Sequence, residues 1–193
     1  MKKNFFIKFI KFLLFITAFF FAVYIFLPWA SLGNFAMSAA RSRLERQGMR
    51  LTYTDVAGEE GGFTVNNLML NGAANISVSS ITIKPQLLAS VLSLAPVCEI
   101  NFTGTAVRLG QVLNFGDGGF LLTAGREEIL LENLRTNGEF ALNGFLTVNL
   151  ATMKLGRSEA RLDVPESFAQ NMAMLQNFLP LTREGDRWHL RRN

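Results

Sequence analysis

The sequence predicts a mainly β protein with a few helices: one N-terminal transmembrane helix, then a curved antiparallel β-sheet domain packed by short amphipathic helices. Three observations carry that expectation. An uncharged run at residues 12–30, from Phe12 to Ala30, follows a lysine-rich start. Beyond residue 48, short β-prone stretches recur between Gly, Asn and Asp turns. Two apolar segments with helical spacing open on prolines, Pro85 and Pro165.

The first element is the apolar run. Lys2, Lys3, Lys8 and Lys11 precede it, and no acidic residue occurs before Glu45. Its 19 residues match the roughly 20 that a helix needs to cross a hydrocarbon core of about 30 Å. A cleaved signal has a shorter apolar region and ends at small residues. Here Ala30 would have Pro28 at the −3 position, and Ala36 would have Asn34, so neither site fits. The expectation is a retained anchor over residues 12–30, with residues 1–11 cytoplasmic by the positive-inside rule. Tyr24 and Trp29 are expected at the far headgroup level. The rest of the chain then lies in the periplasm of a diderm bacterium.

The next segment, residues 31–48, reads as a juxtamembrane helix. Leu32, Phe35, Ala36, Ala39 and Ala40 share one side, and Gly48 suits the helix end. Residues 49–193 form the β-rich domain. LTYTDV, GFTVNNLMLNG and NISVSSITIKP are each of strand length, divided by GEEGG and NGAAN. PQLLASVLSLA predicts a short, largely buried helix. The β pattern then resumes in CEINFTGTAVRLG, GGFLLTAG, EEILLENLRTNG and EFALNGFLTVNLATMKLG. Alternation is cleanest over residues 139–150: Phe140, Leu142, Leu146, Val148 and Leu150 point one way, and Glu139, Asn143, Thr147 and Asn149 the other. A second amphipathic helix follows Pro165, with Phe168, Met172, Leu175 and Leu179 on one stripe. DRWHLRRN predicts a final strand with Trp188 and Leu190 on one face.

Charge and composition narrow the function classes. Four of the 19 Lys and Arg residues precede the span, which leaves 15 basic against 15 acidic residues beyond it. The basic excess is a topology signal and gives no reason to expect nucleic acid. Cys98 is the only cysteine, so no internal disulfide forms, and its apolar surroundings predict a buried structural thiol. His189 is the only histidine, and no cysteine or histidine accompanies it to build a metal site. Asp117 sits in FGDGG, read as a glycine-rich loop without the Lys or Ser/Thr of a phosphate-binding motif. Nothing here asks for catalysis, a metal or a cofactor.

Several blocks carry a family resemblance: FLPWASL at the end of the span, RLERQGMRLTYTDV, SSITIKPQLLASVLSLAPVCEINFTG and SEARLDVPESFAQNMAMLQNFLPLTREGDRWHLRR. Through them the chain resembles the general secretion pathway protein N family of type II secretion systems, itself similar to AsmA-like periplasmic β-proteins. The resemblance implies a single-pass inner-membrane accessory protein without catalytic residues, whose partners are the membrane and other secretion proteins. Two function classes stay open. One is an assembly component acting through strand edges or helix faces. The other is a phospholipid-binding module, with Phe102, Phe120, Phe140 and Phe145 lining an apolar groove. The competing reading of the same four rings, and the favoured one, is ordinary core against the helices at 85–95 and 165–179.

Overall fold

The computed structural model describes residues 2–72, 75–109, 111–152, 154–165, 168, 172, 181–184 and 187–192. Helix α1, Lys2–Phe26, contains the stretch Lys8–Phe26, which is long and apolar enough to cross a membrane and has none of its length buried in the protein. It ends one turn earlier than the uncharged run, because Pro28 has no N–H to continue the ladder. Helix α2, Trp29–Arg46, starts directly after that proline. Its last turn carries Arg43 and Arg46, which suit the negative end of the helix dipole. Gly48 follows at φ +75°, the left-handed conformation that closes helices and favours glycine.

Among the described residues eleven strands follow: β1 Arg50–Thr52, β2 Asp55–Glu59, β3 Gly62–Asn71, β4 Asn75–Pro85, β5 Val97–Leu109, β6 Gln111–Ala124, β7 Glu128–Thr136, β8 Ala141–Asn149, β9 Ser158–Asp163, β10 Leu181–Glu184 and β11 Arg187–Arg192. They form one open antiparallel sheet in the order β1-β3-β4-β5-β6-β7-β8-β9-β11-β10, with β2 beside β1 on the edge of β3. Consecutive strands from β3 to β9 are neighbours, so this stretch is a meander. The expected single strand LTYTDV divides into β1 and the start of β2. The FGDGG segment is strand and not loop. Asp117 lies within β6, and its carboxylate accepts the Gly104 N–H at 2.9 Å.

Register sorts the side chains. Phe63 pairs Ile83, Ile83 pairs Ile100, and Ile100 pairs Phe120. Farther along, Leu131 pairs Leu146, Leu142 pairs Leu162, and Leu162 pairs Trp188. Directly paired residues share a face, so one side of the sheet is apolar from end to end. A bulge between Leu131 and Leu134 keeps both on that side, with Asn133 at φ +52° as the extra residue.

Among the described residues, two clusters of buried side chains cover the ends of this face. Near β1 and β3, α2 closes over Leu51, Phe63 and Val65 with Trp29 and Met37. Near β9 and β11, Met172 and Phe168 pack with Ala160, Leu181, Trp188 and Leu190. Of the expected helix stripe at 165–179, Leu175 and Leu179 lie outside the described residues.

Helix α3, Leu87–Ser93, forms after Pro85 as expected but is not buried. None of its residues is buried, and Leu88, Val91 and Leu92 are each more than two-thirds exposed. The periodicity of the segment marks an apolar helix. It does not say what covers it.

Candidate functional site

The first feature is the joint between α1 and the sheet. Tyr24, in the last turns of α1, donates its hydroxyl to the carbonyl of Gly61 at 3.0 Å and lies 3.3 Å from that of Pro85. The Trp29 indole Nε1–H donates to the Tyr24 carbonyl at 3.2 Å, and the two rings meet edge to face with centroids 5.2 Å apart. Trp29 is 8% exposed and belongs to the domain core. Its ring is therefore packed within protein, against the sheet. Gly33 lets α2 approach: a Cβ there would lie 2.7 Å from the Phe63 ring and from Val56. Sequence reading missed this joint, although Pro28 between two helix-forming stretches was its visible signal.

The second feature is the middle of the apolar face, between the two cores. Ile100, Phe102, Phe120, Leu122, Ile129 and Leu131 are all only partly buried. Phe102 and Phe120 are neighbours with ring centroids 6.2 Å apart. The Phe102 ring lies over Gly118 on the next strand, where a Cβ would come within 2.7 Å of it. The strip runs to the sheet end where α1 arrives, because Pro85, Cys98 and Leu122 are successive ladder partners.

The four phenylalanines do not share one surface. Phe102 and Phe120 line this strip. Phe140 is 4% exposed and stacked between Phe115 and Phe168, at 5.8 and 5.1 Å, so it is core. Phe145 faces the other side of the sheet, on the same face as Asn143.

That other side holds the third feature, an open trough of about 1020 Å³. Leu121, Leu130 and Phe145 are among its apolar lining, and Glu99, Glu128 and Glu132 stand with Arg135 and Arg157 to supply charge of both signs. Mixed charge selects no strongly anionic or cationic ligand. Thr147 lines the trough but is 5% exposed, contrary to the fully wet face expected for it. The chain returning toward β9 covers it: Gly156 N–H donates to the Thr147 carbonyl at 2.7 Å, and Thr147 N–H donates to Ser158 Oγ at 3.1 Å.

Titratable groups are scattered. His189 Nε2 stands 3.8 Å from a Glu184 carboxylate oxygen. Burial pushes the Cys98 thiol pKa up. Among the described residues, no three His, Cys, Asp or Glu side chains converge as metal ligands.

Fold and surfaces together define a class: a large open antiparallel sheet, locked through a tyrosine and a tryptophan to an apolar helix of membrane-spanning length. Within that class the chain belongs to the family "Type II secretion system protein GspN-like, Synergistales", whose pattern it matches over residues 7–192. No curated protein and no solved structure matches it.

Proposed function

We propose that this chain is an inner-membrane-anchored, periplasmic accessory component of a type II secretion system, working through protein–protein contacts. The family match supports the secretion role. The observation that carries the anchored reading is the joint. Tyr24 and Trp29 fasten the end of the apolar helix to the sheet by hydrogen bonds and ring packing, so the domain is held against the membrane surface. Confinement there raises the effective concentration of weakly binding partners to about the millimolar range, with no new contacts. The partly buried strip and the open trough are the surfaces on offer.

The test is photocrosslinking in cells that carry the secretion genes, with the reactive side chain placed at Phe120 or at Phe145. Adducts with secretion proteins that vanish when those genes are deleted are the expected result. Adducts unchanged by the deletion, or none at either position, would overturn the assembly role. A second reading, phospholipid binding, is favoured by one observation: the apolar strip reaches the sheet end at which α1 terminates. Phospholipid adducts confined to Phe120 would decide for it.

A further inference from the structure

We propose that α3 and the residue after it, Leu94, form a second membrane contact: a short apolar foot that enters the same leaflet from which α1 emerges. The inference rests on the anchored reading above and adds a residue-level site to it.

Leu88, Val91, Leu92 and Leu94 are 75%, 71%, 77% and 93% exposed. No charged residue occurs between Lys84 and Glu99. A cluster of large aliphatic side chains held in water is an interaction site by default. The helix is also built to hold them there. Ser90 Oγ donates to the Gln86 carbonyl at 2.8 Å and accepts the Val97 N–H at 2.9 Å, while Gln86 N–H donates to the Val97 carbonyl at 2.8 Å. These bonds fasten the polar side of the turn to β5 and leave the leucines outward. The helix closes on Leu94 at φ +53°, ψ +28°, a left-handed conformation usually given to glycine or asparagine. A leucine kept there has no local conformational advantage. Its exposed side chain is what it contributes.

Location selects lipid as the occupant. The Pro85 carbonyl, two residues before α3, lies 3.3 Å from the Tyr24 hydroxyl in the last turns of α1. The foot therefore stands at the level where the spanning helix ends. Lys84, Gln86 and Glu99 border its base, with Gln86 Nε2 donating to Glu99 at 2.9 Å. Aliphatic tips above a polar base match the change from acyl chains to headgroups across an interface.

The experiment uses the full chain in phosphatidylethanolamine–phosphatidylglycerol vesicles, with Cys98→Ala and one new cysteine carrying an environment-sensitive dye. Labels go at Leu88→Cys and Leu92→Cys in the foot, at Phe15→Cys in α1, and at Asn143→Cys on the far face of the sheet. Lipids with quenchers in the upper acyl region should reduce the foot signals by about twofold or more, as for an interfacial helix. The Phe15 label should respond to deep quenchers and the Asn143 label to neither. Quenching at Phe15 without quenching at the foot overturns the foot and leaves the anchor standing. No quenching at Phe15 removes the anchored reading, and the foot with it. A foot signal insensitive to lipid quenchers but rising with protein density would assign the patch to a second copy and overturn the lipid assignment.

Discussion

Leu142 and Thr147 show how far alternation carries at single positions. Leu142 packs against the Met172–Trp188 core, as its phase predicts. Thr147 has the polar phase yet is buried, because Gly156 and Ser158 fold over it. Leu142→Asp and Thr147→Asp should therefore both lower stability, each by roughly 3 kcal/mol, through a charge buried without a partner. Asn143→Asp, exposed between its cross-strand partners Arg135 and Arg161, should change it by less than about 0.5 kcal/mol. Denaturant melts of the detergent-solubilised chain will read all three; an unaffected Thr147→Asp would put the returning chain elsewhere. Cys98 gives a pH-dependent prediction. Burial disfavours its thiolate, so its folded pKa lies above that of the unfolded chain. The stability this contributes is present below the ordinary thiol range. Above it stability falls with pH, since the unfolded chain ionises first. Alkylation of the folded protein should accordingly be slower than that of the unfolded protein at every pH below the folded pKa.

Among the elements, β3, β4, β5 and β8 lie where β-prone stretches and turn residues put them, most cleanly β8 by its alternation. The EEILLENLR segment also fits a helix, and it is the following TNG turn that points to β7. The failures share a physical cause, which is that a pattern records what a segment prefers and not what meets it. PQLLASVLSLA is apolar on most sides and reads as buried, but no residue of α3 belongs to either core and none is buried. LTRE holds only one buried residue, Leu181, so β10 offered no alternation to detect. Among the four phenylalanines, Phe145 has the phase of Asn143 and Thr147, so its place on the other face was legible in the alternation. Residue type alone does not separate the core ring of Phe140 from the strip pair Phe102 and Phe120. Element packing supplies a third prediction. Gly33→Ala would drive a methyl into the Phe63 ring and Val56 and push α2 off β3. The expected loss is about 1–3 kcal/mol, with faster hydrogen exchange in β2 and β3 than in β8 and β9. Uniform acceleration across the sheet would show that the two cores unfold as one.

For the whole molecule, the division into an anchor ending at Ala30 and a domain beginning at residue 31 cuts through a working core. Trp29 is 8% exposed and packs with Met37, Phe63 and Val65. A fragment of residues 31–193 should be less stable than one of residues 28–193 by about 3–5 kcal/mol, the usual cost of removing a buried aromatic side chain. Equal melting of the two fragments would mean that Trp29 belongs energetically to the helix and not to the sheet. The strand order has a further consequence, in the timing of synthesis. Because β3 to β9 are laid down beside one another in sequence, each new hairpin finds its template already in place as the polypeptide emerges N-terminus first. One step breaks this rule. β11 lies between β9 and β10, so β10 leaves the ribosome with no neighbour to join. It must wait for the last strand, and the sheet is finished by a closing hairpin that docks as a unit.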